Sequence, residues 1–342
     1  MQPKNIDPII HEIKQLVDRH NLGAPGKYAR WNFGEGKDLG VNPYGVADAA
    51  NILYTIGSFP TDAQERDGFV KELQAMQDPE TGFFSEPTHH EFHCTAHCSA
   101  ALELFDAKPL YTVKGMEPYT QKDALYRILE NGIRWESDPW RDSHIGAGLL
   151  PSLVNTDMVG MEWKNWYFDW MWEHTDPENG FIFGGTEKKA ELFQYMASGF
   201  HYLFNHEAEH RPMRYPDKVI DSCITIMEEA IAGYPYPKGL PRYWGKILAI
   251  PGFLEIDVVY CATRAMRQTP HRFYECKAVL ERFAESFVHM MENWDYNGDV
   301  RVNDLHALFG TLCCLAELQS ALPGKLLSTK PLRLVLDRRP FI

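Results

Sequence analysis

The segment Asp78-Pro-Glu-Thr-Gly-Phe-Phe-Ser-Glu-Pro-Thr-His-His-Glu-Phe-His-Cys-Thr-Ala-His-Cys-Ser-Ala-Ala-Leu-Glu-Leu104 carries the fold, because its pattern returns. It reads as a helix end, a Gly turn, an aromatic pair and a small-residue helix. Asp176-Pro-Glu-Asn-Gly-Phe-Ile182 leads in the same way into Glu191-Leu-Phe-Gln-Tyr-Met-Ala-Ser-Gly-Phe-His-Tyr-Leu203. Asp295-Tyr-Asn-Gly298 leads into the helix that includes Asn303-Asp-Leu-His-Ala-Leu-Phe-Gly-Thr-Leu312. Recurrence at about two units of roughly 50 residues each means an array of helical units that bury their faces on one another.

Working outward, two kinds of helix alternate. Segments rich in Ala, Ser, Gly and Cys are expected near 44–56, 89–105, 143–155, 188–204, 253–267 and 303–320. Longer or more charged segments with one apolar stripe are expected near 5–20, 65–77, 121–135, 162–174, 216–232 and 272–293. Small residues let helices approach closely on every side, so the first set should be inner; a single stripe suits the second set as outer helices. Residues 22–43 read as a Gly-rich aromatic loop. The expectation is one all-α domain spanning 1–342, an (α/α)6 toroid of six inner and six outer helices.

Here the chain resembles a known superfamily. Leu73-Gln-Ala-Met-Gln-Asp-Pro-Glu-Thr-Gly-Phe83 is similar to the Gln…Gly-aromatic repeat of terpenoid cyclases and protein prenyltransferase β subunits. Thr95-Ala-His-Cys-Ser-Ala-Ala-Leu-Glu-Leu104 resembles the inner helix that follows it there. The Asp-Pro-x-Thr-Gly-aromatic turn is also similar to that of (α/α)6 sugar enzymes such as unsaturated glucuronyl hydrolases. The resemblance implies the toroid and, with it, cyclase or sugar-directed chemistry. Protonation-driven cyclases need an Asp-x-Asp-Asp acid, and the corresponding register holds Glu91-Phe-His-Cys94 and Glu255-Ile-Asp-Val258 instead. No Asp-Asp-x-x-Asp motif for diphosphate ionisation occurs.

Composition narrows the function classes. The chain has 342 residues, 44% hydrophobic and 24% charged, as globular proteins do. A net charge of −13 argues against nucleic acid, whose phosphates demand basic clusters. No apolar run approaches the roughly 18 residues of a membrane span, and the first residues lack a basic-then-apolar leader. Seven Cys without a disulfide rhythm suggest reduced thiols in the cytosol. A small-molecule substrate is the expected partner; the oligomeric state is left open.

In a toroid, ionisable residues at the front of the inner helices open toward the centre. Glu91, His93, Asp142, His144, Glu255, Asp257, Tyr260 and His306 are the candidate catalytic residues. Tyr44, Asp48, Gln194, Arg242 and Trp244 are candidate substrate contacts, the last two on the Pro-rich linker Tyr234–Trp244. Carboxylates and imidazoles in one place supply general acids and bases. Helix capping is the competing role for Asp142, Ser143 and Asp304. His89, His93 and His97 share one helix face, so His93 and His97 are the pair that would hold zinc if a metal is bound, although no spacing matches a zinc signature and none is expected. Trp163, Trp166 and Trp170 read as packing. Asp295-Tyr-Asn-Gly-Asp299 does not fit a calcium loop, since Val300 and His306 stand where Gly and a carboxylate belong.

The leading expectation is therefore a cytosolic hydrolase or lyase acting on carbohydrate. In it, Asp257 or Glu255 is the acid and His93 or His144 the base. A cyclase with a substituted acid, or a non-catalytic binding toroid, are the alternatives.

Overall fold

At Asp78–Gly82 the turn forms from purely local chemistry. The Asp78 side chain accepts from the backbone N–H of Glu80 and Thr81, at 2.8 Å each, and Gly82 N–H donates to the Asp78 carbonyl. Asp176 repeats this with Glu178, at 3.0 Å, and with Gly180. Gly82 and Gly180 adopt φ of 79° and 82°, which a side chain disfavours. Asp295 starts a third such turn by accepting from Asn297 and Gly298. The aromatic residues that follow the first two turns are driven inward: Phe84 and Phe181 are buried, Phe181 beneath Gly199.

The computed structural model describes residues 1–232, 253–298, 302–339 and 341. Its helices are α1 (Asp7–Arg19), α2 (Pro43–Thr55), α3 (Ala63–Ala75), α4 (Glu91–Glu103), α5 (Lys122–Asn131), α6 (Pro139–Asn155) and α7 (Met161–Glu173). They continue with α8 (Leu192–Ala208), α9 (Pro216–Ala232), α10 (Phe253–Met266), α11 (Phe273–Glu292), α12 (Leu305–Ala321) and α13 (Val335–Arg338). Among the described residues the fold is all-α apart from two short strands, β1 (Lys4–Asn5) and β2 (Leu326–Leu327), paired in parallel. Lys114–Thr120 forms a 3-10 helix that the sequence pattern did not announce. Pro139 opens α6, where its missing N–H costs nothing.

The two helix types differ in burial as their composition requires. Every residue of α2 except Tyr54 is buried, as is the whole span Phe92–Leu102 of α4. In α1 only the stripe Ile9, Ile13, Leu16, Val17 is buried, and in α5 only Leu125 and Leu129. Full burial of each such side chain contributes about 1.5–3 kcal/mol. Among the six small-residue helices, α2 packs on α4, α4 on α6, α6 on α8, α8 on α10, α10 on α12, and α12 on α2. Glycine sets the closest approach: a Cβ on Gly148 of α6 would lie 2.7 Å from the Phe92 carbonyl oxygen of α4. The Trp-rich helix α7 packs as expected, with Trp163 and Trp170 buried.

The segment after β2 crosses this arrangement. Short helix α13 touches both α2 and α8. Buried Arg264 of α10 anchors it, binding Glu317 of α12 at 2.6 and 2.8 Å and Asp337 of α13 at 2.7 Å.

Candidate functional site: an imidazole cluster around Tyr44 and Asp48

Four small-residue helices, together with the turn before α4, bring six imidazoles to one place. The start of α2 is fixed by Asn42, whose side chain accepts from Tyr44 N–H at 2.9 Å. A Cβ on Gly45 would overlap the Ala29–Arg30 backbone, so only Gly fits that approach. Tyr44 thereby stacks on His89 (4.8 Å between ring centres) and His97 (4.9 Å), and meets His306 edge-on at 4.4 Å. Its hydroxyl is hydrogen-bonded to His93 Nδ1. His144 of α6 lies 4.2 Å from His93, and His201 of α8 lies 4.2 Å from His144.

Partner chemistry fixes several protons. Ser143 Oγ donates to the Trp140 carbonyl at 2.7 Å, so it accepts from His201 Nδ1 at 2.7 Å. His201 Nε2 is then the acceptor for His144 Nε2, 3.1 Å away. This leaves His144 Nδ1 as a bare lone pair. Arg339 Nη2 can only donate, so His97 Nδ1 accepts from it (3.4 Å) and His97 Nε2–H donates to Asp48 Oδ1 at 2.8 Å. His306 Nδ1–H donates to the same carboxylate at 3.2 and 3.3 Å.

Burial dominates the electrostatics. It pushes His93 and His144 well below the usual imidazole range, and their neighbouring imidazoles push the same way. His201 falls to about 3, by burial and then by the nearby His89. Burial takes His306 to about 3 although Asp48 opposes it, and His97 is lowered in the same balance. Burial alone would raise the Asp48 carboxyl, but hydrogen bonds and charge interaction with His306 and His97 hold it well below the usual range. At neutral pH Asp48 is therefore a carboxylate beside the uncharged imidazoles of His97 and His306, and His93, His144 and His201 are uncharged as well.

Of the sequence-nominated residues, the structure gathers Tyr44, Asp48, His93, His144 and His306. It leaves out Glu91, which is exposed and accepts from Ser85 Oγ. It also leaves out Asp142, whose carboxylate is taken by Arg134 at 2.6 Å. Glu255, Asp257 and Tyr260 lie buried on α10, where the Tyr260 ring meets Phe200 edge-on at 5.3 Å. Burial and Glu255 raise the Asp257 carboxyl well above the usual range, and neither of its oxygens has a hydrogen-bond partner among the described residues. The Tyr260 hydroxyl is equally unpartnered, and its ring lies beneath Arg264 at 4.1 Å. Gln194 is half-buried, and its Oε1 has no hydrogen-bond partner among the described residues. Arg242 and Trp244 lie outside the described residues. Of the nominated zinc pair, the rings of His93 and His97 are 6.3 Å apart, and His97 donates to Asp48, which it shares with His306.

Sequence reading passed over three participants. His201 sits in the second repeat's helix, where a repeat-by-repeat search for imidazoles would have found it. Arg339 and Phe341 come from the segment after α13. Arg339 donates to Asn51 Oδ1 at 3.0 Å and to the Phe341 carbonyl, and it has no carboxylate within ion-pair range among the described residues. Phe341 is buried 5.0 Å from both His93 and Phe204. Among the described residues no helix is long and apolar enough to cross a membrane. Searches against family models, curated proteins and solved structures find no match to this chain.

Proposed function

We propose that the chain is an (α/α)6 toroid of the terpenoid cyclase and prenyltransferase-like kind, and that it is a carbohydrate-directed lyase or hydrolase working by acid–base catalysis. The head-to-tail packing of α2, α4, α6, α8, α10 and α12, returning to α2, supports the toroid. Seven buried free thiols support a reducing, cytosolic setting, and the net charge of −13 favours a small molecule over nucleic acid.

The observation that carries the chemistry is the hydrogen-bonded Tyr44–His93 pair beside the His144–His201–Ser143 chain. A phenol and an imidazole in contact form a matched proton donor and acceptor. Elimination from a uronide needs that combination. One group takes the proton from the carbon beside the carboxylate, and its electron pair forms the C=C bond. The C–O bond to the leaving sugar then breaks, and the leaving oxygen receives a proton from the other group. Arg339, a buried cation without a carboxylate partner among the described residues, suits the substrate's carboxylate.

The test is a screen of oligouronides and glycosides, read by the absorbance of a new C=C conjugated to a carboxylate. Tyr44→Phe and His93→Ala should each lower kcat by about 10²–10⁴-fold with circular dichroism unchanged. Unaltered turnover in both would sink the assignment.

Asp257 favours a second reading. A buried carboxyl that keeps its proton is the acid that hydrolysis needs, or the substituted acid of a cyclase. In that case Asp257→Asn abolishes activity, and the product carries no new conjugated double bond.

A further inference from the structure

We propose that Asp48, His97 and His306 form a binding site for one first-row divalent transition metal, with zinc as the representative ion. Three helices, α2, α4 and α12, each contribute one ligand atom, and these atoms lie within 4.8 Å of one another. Asp48 Oδ1 is 2.8 Å from His97 Nε2, and Asp48 Oδ2 is 3.2 Å from His306 Nδ1. Ligand atoms about 2.0–2.1 Å from a tetrahedral ion stand roughly 3.4 Å apart, so small side-chain shifts reach that geometry. All three side chains are almost wholly removed from water.

The donor set selects the ion. Two imidazoles and one carboxylate suit zinc, iron(II), cobalt or nickel; magnesium and calcium require oxygen ligands. Three protein ligands leave a further position for water or substrate, as in catalytic zinc sites. Metal binding costs no net proton here. The carboxylate is already ionised, and each imidazole moves its proton to its other nitrogen. On His97 that places a hydrogen on Nδ1, facing Arg339 Nη2 at 3.4 Å. Arg339 then loses the longest of its contacts and keeps Asn51 and the Phe341 carbonyl. Arg339 is thus a cation in competition with the metal.

The site stands apart from the elimination reading, since an ion here requires neither Tyr44 nor His93 as an acid or base. The experiment uses the full chain stripped with chelator, titrated calorimetrically with zinc alone and followed with cobalt by visible absorption. One equivalent of zinc and the absorption of four-coordinate cobalt are expected. His306→Ala and Asp48→Asn should weaken zinc by more than about 100-fold, beyond the loss typical of second-shell changes. Arg339→Gln should bind zinc at least as tightly as the unaltered chain, and His93→Ala should leave the affinity unchanged. Should the variants fail to fold, the unaltered chain still decides. No uptake of zinc or cobalt would mean an inert hydrogen-bonded trio and would overturn the proposal, as would affinity lost with His93 but kept without His306. Zinc binding with no lyase activity would reject the elimination reading alone.

Discussion

Asp48 and Asp257 are both fully buried carboxyl groups on small-residue helices, and their surroundings drive them in opposite directions. Asp48 accepts N–H groups from two imidazoles on two other helices, and it ionises more readily than a free aspartate. Asp257 meets no donor among the described residues, has Glu255 two positions away, and holds its proton. Burial is the same for both; the donors brought by neighbouring helices differ. A carboxylate deep in a protein is thus defined by its partners across the packing, and its own helix says little.

The largest effect expected from this contrast is at Asp48. Asp48→Ala strands the N–H groups of His97 and His306 and removes a negative charge that acts on Arg339. In metal-free protein this should cost about 3–5 kcal/mol, the range for breaking a buried charged network. Urea unfolding measures it. A loss below about 1 kcal/mol would show that the two imidazoles find other partners and that Asp48 does not organise the cluster.

A smaller effect of opposite sign belongs to Asp257. Its folded pKa lies above the unfolded one, so between those values the folded protein holds a proton that the unfolded chain has released. Its contribution is therefore fully present below the unfolded value near pH 4 and is lost as pH rises. Asp257→Asn removes this penalty. The variant should be about 1–3 kcal/mol more stable than the unaltered chain at pH 7, with the difference closing toward pH 4. A variant less stable at pH 7 would mean that Asp257 has a partner that ionises it.

Much of the architecture could be read in advance because it rests on local chemistry. The Asp78, Asp176 and Asp295 turns need only a side-chain cap, joined at Gly82 and Gly180 by a left-handed backbone, and both are written within five residues. The histidine face of α4 follows from helical spacing alone. The site was legible only where one helix sufficed. Asp142 looked like a site residue by its register at the front of α6, but Arg134 lies close enough in sequence to claim it. Asp304 looked like a cap and is one, donated to by His306 N–H at 3.0 Å while Arg30 grips its carboxylate. Arg339 and Phe341 were invisible because their places depend on Arg264 fastening α13 across the packed helices. No periodicity encodes that reach. The same reason hid the difference between Asp48 and Asp257.

The smallest effect concerns an imidazole outside the cluster. His206 sits at the back of α8, donating Nδ1–H to the Tyr202 carbonyl at 2.9 Å, with Phe168 edge-on to its ring. Burial depresses it to about 4. Between that value and the unfolded value near 6.5, the unfolded chain binds a proton that the folded one refuses. Stability is therefore complete above about pH 6.5 and declines as pH falls, by at most about 1.4 kcal/mol per pH unit for this one group. From pH 8 to pH 6 the integrated loss is about 1 kcal/mol. His206→Gln, whose amide can still donate to Tyr202, should flatten the acid limb by that amount. His20 and His201 carry the same sign, so the unaltered chain will remain steeper than a single-histidine curve. If His206→Gln leaves the limb unchanged, His206 takes up its proton in the folded state as readily as in the unfolded chain. The depression would then belong only to imidazoles crowded by one another, and crowding would replace burial as the cause of the neutral cluster.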